Sequence, residues 1–199
     1  NFIKNALPAV SYLKLRGSWG QLGNDQIATY QYLSTYGFRS YIIGNVETKT
    51  LFETRVPNNN ITWEVATNSD IGLEGSLFNG KINFEFDVFS NKRTNILWAR
   101  NASVPQSTGL ALPAENIGEV LNKGWEFNIG YRSQTGDFKY NISVNGGYAK
   151  NKVLFWDEAP GAPEWQRTTG RPMFTFQSYL YDGVFKDQAE IDGNKIDYK

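Results

Sequence analysis

The sequence predicts an all-β fold made of antiparallel strands, and three observations support this prediction. Single apolar residues alternate with single polar residues along several stretches, which is the side-chain period of a β-strand. Asn79-Gly80 and Gly136-Asp137 lie between such stretches and are typical of tight hairpin turns. Only 40% of the residues are hydrophobic although 15% are aromatic, and the mean hydropathy is −0.47. Strands with one apolar and one polar face have this composition.

Composition excludes several classes of function. The 199 residues include 20 Lys+Arg and 20 Asp+Glu, so the formal net charge is zero and no basic face for nucleic acid is expected. The absence of His and Cys excludes His-based acid–base catalysis, Cys nucleophiles, disulfides and thiolate metal sites within these residues. No apolar run approaches the ~18 residues of a transmembrane helix. Because these residues also supply no nucleophile–base pair, we predict that the protein is not an enzyme and needs no cofactor.

The first strand is predicted near residues 10–20, and a long loop is predicted over 21–61. Apolar and polar side chains alternate along the strand, with Leu13, Leu15, Gly17 and Trp19 against Tyr12, Lys14, Arg16 and Ser18. This alternation places the two sets on opposite faces.

The next two strands, near residues 62–77 and 81–98, form the first predicted hairpin. The Asn79-Gly80 turn fixes its register because it sets Phe78 opposite Lys81. Counting back from the turn pairs apolar residues on one face: Leu77 with Ile82, Gly75 with Phe84, Leu73 with Phe86, and Ile71 with Val88.

A second hairpin is predicted from strands near residues 117–135 and 138–153, with the Gly136-Asp137 turn between them. Its apolar pairs are Trp125 with Tyr148, Phe127 with Gly146, Ile129 with Val144, and Tyr131 with Ile142. A slip of one residue would mix the two faces, so the register is strongly specified. Long loops are predicted over 99–116 and 154–173, and a last, poorly alternating strand over 174–187.

Two architectures fit amphipathic antiparallel strands. In a soluble carbohydrate-binding β-sandwich the apolar face is buried, whereas in a membrane barrel it meets lipid and the polar face lines a wet lumen. The polar face is rich in Asn, Ser and Gly, and short turns alternate strictly with long loops, which is typical of outer-membrane barrels. Trp125 and Tyr148 also lie ~10 residues from their turn, about the strand length that crosses a bilayer. These features favour the barrel.

The barrel interpretation assigns a side to each residue. The tight turns are then periplasmic, and Ile142 and Phe84 face lipid near the middle of the membrane. The residues predicted to face the lumen are Glu74, Asn83, Glu85, Asp87, Asn128, Arg132, Asn141 and Asn145. One pair is unfavourable, because Glu74 lies opposite Glu85 and like charges repel. An Arg from a plug, or hydration, would relieve it.

Several motifs resemble one known family. Residues 11–24 read SYLKLRGSWGQLGN and resemble the LKLRGSYGxxGN strand of SusC/RagA-type TonB-linked outer-membrane proteins. Residues 61–74, 87–94 and 179–185 resemble further strands of that family. The most specific match is residues 116–126, NIGEVLNKGWE, which are similar to NxGxxxNKGxE. The matches occur in family order and span about residues 10–187.

The resemblance implies a part of a large plugged barrel of about 22 strands, with long extracellular loops. It further implies TonB-energised import of oligosaccharide or peptide cargo across the bacterial outer membrane, with a SusD-like surface lipoprotein as partner. The plug and the carboxy-terminal strands are absent from these residues, so we expect them elsewhere in a longer chain.

The candidate contact residues are aromatic side chains near the outer loops: Trp98, Phe155, Trp156 and Trp165. They suit stacking on cargo or contact with a lipoprotein lid, and equally the packing of the loops on each other. The segment 192–197, DGNKID, resembles part of a calcium loop but lacks the further ligands. A structural calcium ion there is the only metal that the sequence suggests.

Overall fold

The computed structural model describes residues 7–100, 102, 112–181 and 183–193. Five long strands form one antiparallel sheet in the order β1-β4-β5-β6-β7, and β2 and β3 form a separate two-stranded sheet. The strands are β1 (Val10–Asn24), β2 (Thr35–Ile43), β3 (Val46–Arg55), β4 (Glu64–Leu77), β5 (Ile82–Ala99), β6 (Ala114–Ser133) and β7 (Tyr140–Phe155). Among the described residues, no helix has both the length and the apolar character needed to cross a bilayer.

The registers predicted for both hairpins are confirmed. Leu77 pairs with Ile82 and Ile71 with Val88 between β4 and β5. Trp125 pairs with Tyr148 between β6 and β7. The first turn is tight, with Asn79 at φ 56° and Gly80 at φ 87°.

The second turn is wider than the two residues predicted. The β6–β7 ladder ends at the pair Ser133 and Tyr140, so residues 134–139 form the connection. Gly136 has φ 87° within it. The register is still the predicted one, because Tyr131 pairs with Ile142 and Trp125 with Tyr148.

The predicted loop over 21–61 contains a hairpin that the sequence analysis missed. β2 and β3 join through Gly44 and Asn45, whose φ angles of 60° and 64° are those of a type I′ turn. The guanidinium of Arg39 lies 4.6 Å from the ring centre of Tyr41 and 4.8 Å from that of Phe52. The first contact lies within β2 and the second joins β2 to β3, and cation–π contacts of this kind stabilise a short hairpin.

The strand predicted over 174–187 is not formed in the described residues of that segment. Gly170 and Arg171 hydrogen-bond to the backbone of Val153 at the edge of β7, and Met173 N–H donates to the Asn151 side chain at 2.6 Å. Pro172 has no N–H to continue a ladder, and Phe174 has φ 58°, which a strand does not allow. A 3-10 helix at Glu164–Gln166 and a short helix α1 at Gln188–Gly193 complete the structure.

The five-stranded sheet exposes its apolar face. Leu15 is 73% exposed, Ile71 64% and Ile142 59%, whereas Asp87 on the other face is only 7% exposed. The apolar face has an aromatic group at each end, with Trp125 stacked on Phe86 and Phe127 at one end and Tyr131, Phe138 and Tyr140 at the other. Among the described residues no second layer covers this apolar face, whereas the sheets of water-soluble proteins bury theirs.

Candidate functional site

A network of charges lies on the polar face, and Arg16 of β1 is its centre. The Arg16 Nη2 atom donates to both carboxylate oxygens of Asp87, at 2.7 and 2.8 Å, and to Glu85 Oε1 at 2.7 Å. Its Nη1 atom lies 3.5 Å from Glu74 Oε2. One guanidinium therefore bridges three carboxylates from two neighbouring strands, β4 and β5.

A glycine makes this bridge possible. Arg16 and Asp87 lie on β1 and β5, which are separated by β4, and both are paired with Gly72 in the ladder. A Cβ atom on Gly72 would lie 2.9 Å from Arg16 Nε and would collide with the Asp87 carboxylate. Because Gly72 has no side chain, the Arg16 guanidinium has room to reach across β4 to Asp87.

The unfavourable pair Glu74 and Glu85 is present as predicted. Within the described residues, relief comes from β1. Tyr12 donates its hydroxyl to Glu74 at 2.7 Å, and Lys14 Nζ lies 3.1 Å from the same carboxylate. The alternation of β1 already placed Tyr12, Lys14 and Arg16 on the polar face. The sequence did not predict that β1 pairs with β4, and this pairing brings these side chains to Glu74.

The other residues predicted to face the lumen occupy the same face. Glu85, Asp87, Asn128 and Asn145 line one open recess of about 790 Å³ together with Arg16. The remaining three lie closer to the hairpin connections, with Arg132 paired to Asn141 and Asn83 donating to the Gly80 carbonyl at 3.4 Å.

The predicted contact aromatics divide into two groups. Trp98 and Trp156 pack on each other, with ring centres 3.9 Å apart. This contact supports loop packing for both residues. Phe155 is 50% exposed and Trp165 is 62% exposed. These two side chains retain free apolar surface for a partner.

The loop over 154–173 is held by hydrogen bonds to its own backbone. Glu158 Oε1 accepts from the N–H groups of Thr168 and Thr169, each at 2.6 Å. Arg171 Nη2 donates to the Glu164 carbonyl at 2.8 Å. Burial by itself raises the pKa of Glu158, but the hydrogen bonds from Thr169 and Thr168, with the charge of Arg167, outweigh it and leave that pKa below its ordinary value.

Two asparagines anchor the outer ends of the strands, and the sequence analysis did not single out their roles. Asn58, 8% exposed, donates to the Ala114 carbonyl at 2.7 Å. Asn116 accepts from Thr62 N at 2.9 Å and donates at 2.8 Å to the carbonyls of Thr62 and Asn95. Asn116 begins the NIGEVLNKGWE motif, so this part of the motif is explained by architecture.

Two predicted features lie largely outside the described residues. In the loop over 99–116, Ala102 donates its N–H to Asp157 at 2.9 Å, and residues 101 and 103–111 are not described. The calcium segment includes residues 194–197, which are also not described. In the described part of the chain, no three His, Cys, Asp or Glu residues are grouped to hold a metal ion.

Comparison with known proteins identifies the family. Residues 7–197 match the family described as "TonB dependent receptor-like, beta-barrel". The chain belongs to this family. The segment is therefore part of such a barrel, and the alternative of a soluble sandwich is wrong.

Two curated relatives share about a third of their aligned residues with the chain. TonB-dependent receptor P3 of Formosa agariphila is 31% identical over 199 residues, covering 94% of this chain and 20% of the relative. TonB-dependent receptor SusC of Bacteroides thetaiotaomicron is 31% identical over 163 residues, covering 77% and 16%. The chain thus spans about a fifth or less of the length of these relatives.

Solved structures show the same fold. A structure of the RagAB peptide importer in the "open-open" state matches with a TM-score of 0.63 at 21% identity, covering 77% of this chain and 17% of that chain. The "closed-closed" state matches with a TM-score of 0.62 at 19% identity, covering 85% and 19%.

Proposed function

We propose that the full-length protein lies in the bacterial outer membrane and imports oligosaccharide or peptide cargo, energised through TonB. The observation that carries this proposal is the uncovered apolar face of the sheet. This face is apolar between two aromatic groups, as lipid contact requires, and the opposite face holds the charges in an open recess. Family membership and the RagAB peptide importer fold support transport as the use of that lumen.

The proposed partner is a SusD-like surface lipoprotein that covers the outer mouth. The name SusC among the relatives and the RagAB assembly support this choice. In this chain, Phe155 and Trp165 supply exposed aromatic surface near the outer ends of the strands. The β2–β3 hairpin adds more, since Phe38 is 77% exposed and its ladder partner Leu51 61%. Aromatic and apolar residues of this kind are enriched at protein interfaces.

The first experiment tests location and transport. We expect the full-length protein to fractionate with outer membranes, to require detergent for extraction, and to support uptake of labelled oligosaccharide or oligopeptide only in cells with functional TonB. Recovery in the soluble fraction without detergent contradicts the barrel proposal. TonB-independent uptake contradicts the import proposal.

The second experiment separates partner contact from loop packing. Trp165→Ala removes an exposed ring, so we expect weaker co-purification of the lipoprotein or slower uptake. The barrel itself should remain folded in SDS until it is heated. Trp98→Ala serves as the control because its ring packs on Trp156. Unchanged lipoprotein retention and uptake in Trp165→Ala would limit that residue to a loop surface.

A further inference from the structure

A row of lysines lies on the apolar face of the sheet, just beyond the apolar belt. This belt is the part of the face between its two aromatic groups. Lys123 of β6 is paired directly with Lys150 of β7, and Lys152 follows two residues later on the same face. All three are exposed. Their neighbours toward the β6–β7 connection are Trp125 and Tyr148, which form one aromatic end of the belt.

This lysine row lacks an ion-pair partner in the described part of the chain. None of the three forms an ion pair there, whereas the next lysine on this face, Lys92, lies 2.9 Å from Glu119. Like charges directly opposite each other in a ladder destabilise the pair. The arrangement is favourable when an anion from outside the sheet lies between the ammonium groups.

The shape of the surface matches an amphiphile. The lysine row, Leu121, Trp125 and Tyr148 line a recess of about 660 Å³, which Gly170 and Pro172 border. Cations occupy its outer part and aromatic rings its inner part. A lipid whose phosphates meet the lysines and whose acyl chains run down the apolar belt would contact both.

We infer that the lysine row of Lys123, Lys150 and Lys152 binds the phosphate groups of a lipid headgroup in the outer leaflet. The inference rests on the proposed function, because that proposal turns this face toward lipid and the long loops outward. Each ammonium acts as a point charge toward phosphate oxygens, and the aromatic rings fix the depth of the glycerol or sugar region.

The test uses the full-length protein in neutral detergent micelles. Binding of diphosphorylated lipid A, dephosphorylated lipid A and inorganic phosphate is measured in separate titrations by native mass spectrometry. Each basic residue near an anionic lipid strengthens binding by about fivefold. We therefore expect the triple variant Lys123→Gln, Lys150→Gln, Lys152→Gln to bind the diphosphorylated lipid on the order of a hundredfold more weakly.

Two control variants make the result specific. The triple variant Lys49→Gln, Lys81→Gln, Lys139→Gln removes the same charge from other positions and should bind as the unchanged protein does. Replacing the lysine row by Arg should preserve binding. If the Gln triple does not assemble, Lys150→Gln alone should show a loss of about fivefold.

Four outcomes overturn the inference. They are equal lipid affinity in the two Gln triples, equal affinity for the dephosphorylated lipid, inorganic phosphate binding as tightly as the lipid, and loss of lipoprotein retention with unchanged lipid binding. The fourth outcome would show that the lysine row contacts the lipoprotein and not a lipid. Any of these in a protein that still fractionates with outer membranes and supports uptake leaves the proposed function intact, whereas recovery in the soluble fraction contradicts that function.

Discussion

At the scale of single residues, the polar face depends on a position that has no side chain. Arg16 reaches Asp87 only over Gly72, and Asp87 is nearly buried as a result. Removing the bridge would leave Glu74 and Glu85 opposite each other with less compensation. Gly72 therefore matters for the charge network rather than for backbone freedom, since its φ is not positive.

We expect Gly72→Ala to destabilise the full-length barrel by about 1–3 kcal/mol, because the added methyl group displaces the guanidinium and the carboxylate. Gly20→Ala is the matched control, since its Cβ would meet nothing within 4 Å. Urea titrations of barrels folded into lipid vesicles measure both. Equal midpoints for the two variants would show that the bridge contributes nothing to stability.

Neighbouring residues on one strand should differ sharply if the two faces meet lipid and water. Arg at a lipid-facing position near the middle of the membrane costs ~2–4 kcal/mol and much less on the wet side. Ile142 pairs with Tyr131 in one aromatic group, whereas Val144 pairs with Ile129 between the two groups. We therefore expect Val144→Arg to be far more destabilising than Ser143→Arg on the opposite face. The same vesicle titrations apply, and equal costs or the reverse order would contradict the assignment of faces.

At the scale of elements, the sequence was informative where alternation and turn chemistry agreed. The registers of β4–β5 and β6–β7 follow from Asn79-Gly80 and Gly136-Asp137. The β2–β3 hairpin was missed although Gly44-Asn45 is also a turn signal, because alternation around it is weaker. Contacts such as Arg16 with Asp87 could not be predicted, since they require the β1–β4 pairing between residues far apart in sequence.

The loop over 154–173 is an element whose order should depend on pH. The lowered pKa of Glu158 means that its carboxylate stabilises the folded loop above the ordinary glutamate value of about 4.3, and that this contribution is lost as pH falls through the lowered folded value. We expect limited proteolysis of the loop to accelerate several-fold on acidification.

The variant Glu158→Gln tests the same carboxylate without acid. Gln can still accept a hydrogen bond from Thr168 or Thr169 but lacks the charge that strengthens it. The variant should therefore be cleaved faster at neutral pH and should change less on acidification. Glu164→Gln is the control, because only the Glu164 backbone carbonyl takes part in the loop contacts. Identical pH profiles for Glu158→Gln and the unchanged protein would contradict the role of Glu158.

At the scale of the whole molecule, the sheet is open. Among the described residues, β1 pairs only with β4, and β7 pairs with β6 and, at Val153, with residues 170–171. Two rows of backbone N–H and C=O groups thus lack ladder partners. Such groups cannot lie in hydrocarbon without hydrogen bonds, so the sheet crosses a membrane only when further strands close it.

The isolated segment of residues 1–199 should therefore fail to insert into vesicles as a stable unit. We expect it to aggregate through the free edges of β1 and β7, while the full-length protein folded in parallel shows the electrophoretic shift on heating that marks a closed barrel. Protease protection of the strands in vesicles provides the second measurement. A monomeric, protected and heat-modifiable segment would contradict the argument, because five strands are fewer than the eight that even a side-chain-filled barrel requires.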